Sequence, residues 1–389
     1  MPPTRLALIT SQAFSLGNFR GPLIRDLVRA GIEVYALAPD YDPAQREVVR
    51  GLGAVPVDFS LSRTGMNPLR DGLDMLRLAI LLRRLRVDMS LGYFIKPVIY
   101  GTLAAWLAGV PHHFALIAGL GFVFTPSSAR LSRKRRMLRK SVEGLYRLAL
   151  RRVERVIFQN DSDLAEFVEG GLVAAEKAVV ICGTGVDLAE WPSVRPVVEP
   201  VTFLLAARLL REKGIVEYAK AARRVKARYP QARFILLGGL DPNPGGLSRA
   251  EVQAWVAEGL LEWPGHVEVK PWLAQASVYV LPSYYREGVP RSTQEALAMG
   301  RPVITTDAPG CRETVVDGEN GFLVPVRDVE ALAERMIRFI EEPALIETMG
   351  WAARRLAEER FDVRRINARI LEILGIASVP APASPCKAE

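Results

Sequence analysis

Short apolar segments alternate with amphipathic ones along the first half of the chain. The apolar run Leu6–Ile9 is followed by a polar loop and then by helical spacing of apolar residues from Phe19 to Ala30. Near-continuous apolar strands that alternate with helices are typical of a parallel sheet covered on both faces. The same pattern predicts further strands at Glu33–Ala38, Val55–Phe59, Asp88–Tyr93, Phe114–Ile117, Val156–Gln159 and Val179–Ile181. It predicts helices at Asn67–Arg86, Pro97–Leu107, Arg130–Arg152 and Ser162–Glu169.

A proline-rich segment separates this half from a second one. Residues 191–200 contain three prolines and are typical of a linker. The alternation then begins again, with strands predicted at Phe203–Ala207, Phe234–Leu237, Val278–Leu281 and Val303–Thr306. Helices are predicted at Ile215–Arg228, Asp328–Glu341, Ala344–Glu359 and Val363–Leu374.

This organisation predicts an α/β protein with two parallel-sheet domains that face a cleft. We expect an N-terminal domain over residues 1–190, a second domain over 200–355, a C-terminal helix over 356–375 and a disordered tail over 376–389, which is rich in Pro, Ala and Ser. Ligands of such folds bind at the carboxyl ends of the strands, so the loops that follow the strands are the places to search for a site.

Composition limits the class of protein. The 389 residues suffice for two domains, and 49% hydrophobic with 24% charged residues indicates a globular protein rather than a disordered one. Three widely spaced cysteines and three histidines argue against a disulfide scaffold or a Cys/His zinc site, and they fit a reducing cytosol. No signal peptide is predicted at the N-terminus, and the longest uninterrupted apolar stretch, 97–111, is shorter than the roughly 20 residues of a membrane span.

The net charge of +8 belongs to the first half of the chain. Residues 1–195 hold 26 Lys and Arg against 18 Asp and Glu, whereas residues 196–389 hold 25 of each. In residues 130–155, 11 cations stand against two glutamates, with apolar side chains interspersed. This pattern is typical of a basic amphipathic helix at an anionic membrane surface, and the alternatives are a solvated outer helix and a nucleic-acid site. Because no nucleic-acid-binding module accompanies it, we expect no nucleic acid as a partner.

Two loops carry residues that suit a phosphate. The loop Ser11–Asn18 contains Gly17 and precedes a helix, whose N-terminal N–H groups favour an anion, although a plain turn explains the loop equally well. Arg208 and Lys213 follow the first strand of the second domain, where two cations suit a diphosphate, and the alternative is a solvated basic loop.

The segment from Glu287 to Glu295 carries the strongest chemical signal. It joins the strand Val278–Leu281 to a helix predicted over Gln294–Met299, so both carboxylates can face the mouth of the cleft. Carboxylates accept hydrogen bonds from hydroxyl groups, and the N–H groups of the intervening loop suit an anion. This combination predicts a polyhydroxylated ligand attached to a phosphate. The alternative for Glu295 is an ordinary acid in the first turn of a helix.

Asp161-Ser162-Asp163 has the spacing of a metal-binding DxD motif. It directly follows a predicted strand and begins a helix, where Asn160, Asp161 or Ser162 would serve as the N-cap. We favour capping over metal binding and expect no metal ion here. No Ser-His-Asp or Cys-His arrangement can be assembled from the sequence.

Together the motifs resemble those of the retaining glycosyltransferases of family 4, which have the GT-B fold. The resemblance rests on Glu287-x7-Glu295, the pair Arg208 and Lys213, and the segments Gly300–Asp307 and Asp317–Val324. Three further segments resemble a bacterial subgroup that adds N-acetylgalactosamine, α-1,3-linked, to N,N′-diacetylbacillosamine on undecaprenyl diphosphate. They are Phe19–Leu23, Phe114–Gly121 and Gly238–Pro244. The resemblance extends to about residue 375.

The resemblance implies transfer of a sugar, of the HexNAc type, from a UDP-sugar to a lipid-linked sugar acceptor, with retention of configuration. It places the enzyme peripherally on the inner face of the bacterial plasma membrane, with no cofactor. The first domain would bind the acceptor, the second the donor, and the last helix would cross back to the first domain. Arg208 and Lys213 would hold the diphosphate in place of a metal ion, and Glu287 would contact the donor sugar.

Further implied roles concern donor and membrane contacts. The implied donor contacts are Gly17, Asn18, Gly288, Val289, Pro290, Arg291 and, at the ribose, Glu295. The implied contacts to the acceptor or the membrane are Arg133, Lys134, Arg135 and Arg136.

Three positions depart from the family pattern. Ala118 stands where relatives often carry Glu, Gly17 stands where bulkier residues are common, and His266–Trp272 is shorter than the strand and loop that contact the nucleotide base in relatives. The sequence is also compatible with other functions. They are a GT-B enzyme with a soluble acceptor, an epimerase or phosphorylase, and a non-catalytic module that binds nucleotide sugars or anionic surfaces.

Overall fold

The structure, a computed structural model, describes residues 4–62, 67–125, 133–243 and 245–377. These residues form two compact units. The first unit contains residues 4–118, 133–184 and 363–377, and the second contains residues 119–125 and 185–362 without Pro244. The predicted tail lies outside the described residues from 378 onward, as do residues 126–132 at the beginning of the basic segment.

A seven-stranded parallel sheet forms the centre of the first unit. Its strands are β1 (Arg5–Ile9), β2 (Glu33–Ala38), β3 (Val55–Asp58), β4 (Met89–Tyr93), β5 (His112–Ile117), β6 (Arg155–Phe158) and β7 (Ala178–Val180). They are arranged in the order β3-β2-β1-β4-β5-β6-β7.

A six-stranded parallel sheet forms the centre of the second unit. Its strands are β8 (Thr202–Ala206), β9 (Arg233–Leu237), β10 (Glu262–Gly265), β11 (Val278–Leu281), β12 (Val303–Thr306) and β13 (Gly321–Val324). Their order is β10-β9-β8-β11-β12-β13. The predicted fold class, α/β with two Rossmann-like parallel sheets, is confirmed.

Helices connect the strands in both units. Those of the first unit are α1 (Phe14–Arg29), α2 (Pro43–Gly51), α3 (Pro68–Leu85), α4 (Thr102–Ala108), α6 (Arg133–Leu150), α7 (Asp161–Glu169) and α14 (Val363–Ile373). Those of the second unit are α5 (Gly121–Phe124), α8 (Ile215–Arg228), α9 (Arg249–Ala257), α10 (Lys270–Ala274), α11 (Arg291–Ala298), α12 (Val329–Glu341) and α13 (Ala344–Arg360).

Both faces of the central strand β1 are buried, which explains why this strand is apolar almost throughout. Leu6 and Leu8 of β1 belong to a core that includes residues of α1 and α14. Ala7 and Ile9, which point to the opposite face, belong to a core that includes residues of α3 and α4. Two helical layers therefore enclose one sheet.

Helix α14 completes the first core from the far end of the sequence. Ile366, Ile370 and Leu371 are buried in the same core as the inner face of α1. The side-chain amide of Asn367 donates a hydrogen bond to Asp26 Oδ2 at 2.7 Å. The first unit is thus built from three separate stretches of chain.

The beginning of α1 differs from the prediction. The helix begins at Phe14 rather than at Phe19, so Gly17 and Asn18 lie in its first turns and not in a loop. The physical reason is a distant cap, because Asp40 Oδ1 accepts a hydrogen bond from the N–H of Ala13 at 2.7 Å. The predicted loop up to Asn18 is therefore wrong in its second half.

Candidate active site

The strand order of the second sheet reverses between β8 and β11. From β8 the chain moves outward through β9 to β10, and it then returns to β11 on the other side of β8. The loops after β8 and β11 therefore leave in opposite directions and open a crevice at the carboxyl ends of the strands. Such a switch point is where open α/β sheets bind their ligands.

An ion pair joins the two loops that border this crevice. Nζ of Lys213, at the end of the loop after β8, contacts Oε1 of Glu287 in the loop after β11. The two side chains are only 13% and 12% exposed. Ser283 Oγ donates a second hydrogen bond to Glu287 Oε1 at 3.0 Å. The cost of removing both charges from water is offset by their attraction and by the hydroxyl, so an ammonium group is held in place at the switch point.

The backbone of Glu212 ties the two loops together. Its carbonyl oxygen accepts hydrogen bonds from the N–H groups of Tyr284 and Tyr285 at 2.9 and 3.0 Å. Ser283 Oγ, whose one proton Glu287 Oε1 and this carbonyl oxygen both face, lies 3.2 Å from it. The ring of Tyr285 lies 5.4 Å from Lys213 Nζ, a cation–π contact. These contacts fix the position of Lys213 independently of its partner Glu287.

Two glycines allow other segments to approach the Glu287 loop closely. A Cβ atom at Gly310, where φ is +81°, would lie 2.1 Å from the carbonyl oxygen of Gly288. A Cβ atom at Gly119, where φ is +91°, would lie 2.4 Å from the nitrogen of Gly288. The N–H of Arg286 also donates to Thr125 Oγ1 at 3.1 Å. The loop is therefore held by backbone packing that only glycine permits.

Arg208, like Lys213, follows the carboxyl end of β8, but it pairs with a different carboxylate. Its Nη1 donates to Asp241 Oδ2 at 2.8 Å, and its side chain is half-exposed. Burial opposes ionisation of Asp241, yet the N–H of Asn243 and the charge of Arg208 hold the pKa of Asp241 below its usual range. Asp241 is not among the site residues predicted from the sequence, although the segment Gly238–Pro244 that contains it contributes to the family resemblance.

Glu295 lies one turn inside α11 and pairs with Arg291. Arg291 Nε and Glu295 Oε1 are 2.8 Å apart, and both side chains are largely buried. Burial raises the pKa of Glu295, and the nearby charge of Arg291 opposes this rise only in part. Gly288, Val289 and Pro290, the other predicted donor contacts, are buried in the loop that leads into α11.

The first sheet has a switch point of its own, between β1 and β4. Uncharged hydroxyl groups meet there. Ser15 Oγ lies 2.7 Å from the hydroxyl of Tyr93 and 3.0 Å from Thr10 Oγ1, and it donates to the carbonyl of Gln12 at 2.6 Å. Burial raises the pKa of Tyr93. Gly17 and Asn18 follow this cluster in α1.

The DxD segment forms the first turn of a helix that the preceding residue, Asn160, caps, which is one of the three predicted N-caps. Asn160 is the N-cap of α7, and its Oδ1 accepts a hydrogen bond from the N–H of Asp163 at 2.8 Å. The side chain of Asp163 is fully buried and accepts a hydrogen bond from Asn160 Nδ2 at 3.1 Å. Within the described ranges, no group of three or more His, Cys, Asp or Glu side chains is arranged to hold a metal ion.

The basic cluster predicted at a membrane lies at the beginning of α6. Arg133 and Arg136 are exposed there, whereas the side chains of Lys134 and Arg135 lie outside the described part of the structure. Among the helices that the structure describes, none has the length and apolar character needed to cross a membrane.

Both halves of the sequence match known glycosyltransferase families. Residues 17–183 match the family described as glycosyl transferase 4-like domain, and residues 200–342 match the family described as glycosyl transferases group 1. The chain belongs to these glycosyltransferases. The predicted resemblance is thereby confirmed, and the two matches fall on the two sheets.

The relatives of this glycosyltransferase include bacterial enzymes named for sugar transfer. It is 28% identical, over 88% of its own length and 90% of the relative's, to the N,N′-diacetylbacillosaminyl-diphospho-undecaprenol alpha-1,3-N-acetylgalactosaminyltransferase of Campylobacter jejuni. It is 32% identical, over 50% of each chain, to the putative colanic acid biosynthesis glycosyltransferase WcaL of Salmonella typhimurium.

Solved structures share the GT-B fold of this glycosyltransferase. Sucrose-phosphate synthase from Thermosynechococcus elongatus superposes with a TM-score of 0.76 at 20% identity, covering 96% of this chain and 98% of the other. HepE from Anabaena, crystallised with UDP, superposes with a TM-score of 0.73 at 20% identity, covering 96% and 99%. At this level of identity the likeness establishes the fold.

Proposed function

We propose that this glycosyltransferase moves a HexNAc sugar from a UDP-sugar to a polyprenyl-diphosphate-linked sugar, with retention of configuration and without a metal ion. The observation that carries the proposal is the Lys213–Glu287 pair at the switch point of the second sheet. A desolvated ammonium beside a crevice suits the diphosphate of a nucleotide sugar. Support for the substrates comes from the name of the Campylobacter relative and from HepE, which was crystallised with UDP-glucose.

Lys213 and Arg208 act on the leaving group. As the bond between the sugar C1 and the diphosphate breaks, negative charge grows on UDP, and a cation already in position stabilises it without reorganising. The hydroxyl group of the acceptor attacks C1 from the face that UDP leaves, and its proton passes to the departing phosphate oxygen. This sequence retains the anomeric configuration.

The acidic residues bind the hydroxyl groups of the donor. Glu287, fixed by Lys213 and Ser283, contacts the sugar, and the backbone from Gly288 to Arg291 lies alongside it. Glu295, beside Arg291, accepts hydrogen bonds from the ribose. The roles of Gly17 and Asn18 at the reaction centre remain predictions.

The acceptor side is assigned to the first unit. An acceptor on a polyprenyl diphosphate lies in the membrane, and the basic cluster from Arg133 to Arg136 supplies positive charge for an anionic surface. We propose a peripheral location on the inner face of the plasma membrane on this basis.

A screen of UDP-sugars against a polyprenyl-diphosphate-linked sugar tests the reaction. We expect the highest turnover with a UDP-HexNAc, a product with the anomeric configuration of the donor by NMR, and unchanged activity with EDTA. Activity that disappears with the chelator and returns with Mn²⁺ or Mg²⁺ would contradict metal independence. Binding of UDP-sugars without any turnover would favour the binding module.

Two glutamine variants test the assignment of the site. Glu287→Gln should lower kcat by about 10²–10³-fold, because the carboxylate acts where charge changes in the transition state. Glu295→Gln should mainly raise the KM of the donor, because the ribose is bound equally in the ground and transition states. Wild-type kcat in Glu287→Gln would remove this loop from the reaction centre.

A further inference from the structure

Helix α3 exposes an apolar stripe on the outside of the first unit. The exposed fractions of Leu69, Leu73, Leu76 and Ile80 are 86%, 48%, 51% and 55%. Steps of four, three and four residues place these four side chains on one side of the helix. We call them the α3 stripe. Exposed large apolar side chains that are grouped in this way mark an interaction surface, whereas scattered ones do not.

Arginines are the other exposed residues along the length of this helix. Arg70, Arg77 and Arg84 recur every seven residues and so follow one edge of the stripe, and Arg83 lies at its other edge. Apart from Pro68 at its first position, every exposed residue of α3 is Leu, Ile or Arg. The helix thus combines an apolar face with positive borders.

The two acidic residues of α3 are turned inward. Asp71 is buried and forms an ion pair with Lys96 at 2.7 Å. Asp74 is also buried, and its carboxylate oxygens lie 4.0 Å from Arg70 and 3.7 Å from Arg77. The exposed face of α3 therefore contains no negative charge.

Two neighbouring helices also carry exposed apolar side chains and positive charge. Helix α4 packs against α3, and α6 packs against α4, so the three form one layer over the sheet. Of 17 exposed large apolar side chains in the described part of the chain, eight belong to this layer. Besides the α3 stripe they are Trp106, Leu107, Met137 and Leu148. The cations of the basic cluster belong to the same layer through α6.

We propose that the α3 stripe inserts into the headgroup region of an anionic phospholipid bilayer. The apolar side chains enter the boundary with the acyl chains, and the bordering arginines bind lipid phosphates. A second copy of this chain fits the stripe less well, because two such faces would bring the same arginines together. The inference rests on the proposed function in one respect, since a lipid-linked acceptor lies in such a bilayer.

Vesicle flotation with the full-length chain tests the proposal. Vesicles of equal parts phosphatidylethanolamine and phosphatidylglycerol should bind the wild type, and Leu73→Gln/Ile80→Gln should weaken binding at least about ten-fold through the lost apolar burial. Arg83→Gln/Arg84→Gln should also weaken it about ten-fold at low salt, with a smaller difference at high salt. Trp351→Gln, at an apolar residue of α13 that is 76% exposed, is the matched control and should bind as the wild type does.

Two results would overturn the proposal. The first is a wild-type protein that does not bind these vesicles, or a Leu73→Gln/Ile80→Gln variant that binds them as well as the wild type does. The second is a wild-type dimer that the same double substitution converts to a monomer without changing vesicle binding, because the stripe would then join two copies. Circular dichroism confirms that each exposed-site variant is folded.

A water-soluble acceptor with a short lipid separates this inference from the proposed function. The stripe variants should transfer sugar to it at the wild-type rate while their vesicle binding is lost. A wild type without any turnover that still binds vesicles through the stripe would contradict the proposed reaction and leave the docking surface in place. Turnover by a wild type whose vesicle binding does not depend on the stripe would support the proposed reaction and contradict the docking surface.

Discussion

The two switch points of this glycosyltransferase are alike in topology and differ in the groups that are hydrogen-bonded there. Each lies between the first strand of a sheet and the strand to which the chain returns, β1 and β4 in one unit and β8 and β11 in the other. In the first unit a buried cluster of Thr10, Ser15 and Tyr93 hydroxyls occupies this place. In the second unit Lys213 and Glu287 form an ion pair there.

The difference shows that topology selects the position of a site and side chains select its task. The hydroxyl cluster is bonded to itself and to the carbonyl of Gln12, and we expect its principal effect to be fixing the turn into α1. A nearly buried ion pair at a loop junction carries charges that a ligand can share. We therefore expect substitutions at the second switch point to affect catalysis, and substitutions at the first to affect stability.

Removal of the ammonium group should have the largest effect. Lys213→Ala should lower kcat by about 10²–10³-fold, the scale of losing one preorganised electrostatic group. Ser15→Ala in the first unit should leave the KM of the donor unchanged. Steady-state kinetics with the best UDP-sugar measures both variants, and a Lys213→Ala enzyme with normal kcat would contradict the contrast between the two switch points.

Displacement of the Glu287 loop should have the next largest effect. Gly310→Ala places a methyl group where it collides with Gly288, and a shift of about 1 Å in a catalytic loop can cost about 10²-fold in rate. Gly318→Ala is the matched control. Gly318 has a φ of +82°, nearly that of Gly310, and open space around its Cβ position.

Both alanine variants should lose about 1–2 kcal/mol of stability because both need a left-handed backbone, and Gly310→Ala should lose more because its methyl group collides with Gly288. Only Gly310→Ala should lose activity at a temperature where both remain folded. Equal activities would show that the position of the loop is not set by its contact with Gly310.

Loss of one hydroxyl at the first switch point should have a smaller effect. Tyr93→Phe removes a hydrogen bond to Ser15, whose other contacts remain, and should lower the free energy of unfolding by about 1 kcal/mol. The unfolding midpoint in urea measures this change. A raised KM for the donor in Tyr93→Phe would show that this hydroxyl belongs to the donor site after all.

Titration of Glu295 should have the smallest of these effects, and the quantity it changes is the pH dependence of the free energy of unfolding. Burial raises its pKa in the folded protein above the usual 4.5, so the folded state holds this proton more tightly than the unfolded state does. The contribution of Glu295 to the free energy of unfolding of the wild type therefore falls as the pH rises from about 4.5 through the higher pKa of the folded state. Relative to wild type, Glu295→Gln should become more stable across that interval, whatever the constant cost of losing the Arg291 pair. Unfolding in urea at several pH values checks the sign.

Much of the fold could be predicted because apolar strands buried on both faces leave a clear pattern. The bounds of β2, β11 and β12 agree with the predicted ones. The edge strand β10, Glu262–Gly265, was missed because it is short, contains Pro264 and alternates between exposed and half-buried residues. The segment His266–Trp272 begins as a four-residue loop after β10, and its last three residues, from Lys270 onward, form the beginning of α10.

The sequence was enough to predict which residues form the candidate site, but not which of them contact each other. Lys213 and Glu287 were both identified, yet 74 residues separate them, and no local spacing indicates that they touch. Arg208 was grouped with Lys213 because the two are close in sequence, whereas its partner Asp241 comes from the loop after β9. Long-range capping by Asp40 likewise could not be inferred from the residues around Ala13.

The return of α14 to the first core has a consequence for how the protein is made. During synthesis the strands of the first unit leave the ribosome long before Ile366, Ile370 and Leu371 exist, so the apolar surface that these residues cover must wait until the second unit has been translated. The second unit meets no such delay for its own sheet. The half of the chain that is synthesised first is therefore the half that is completed last, and a premature stop between β7 and α14 exposes apolar surface in a domain whose sheet is already whole.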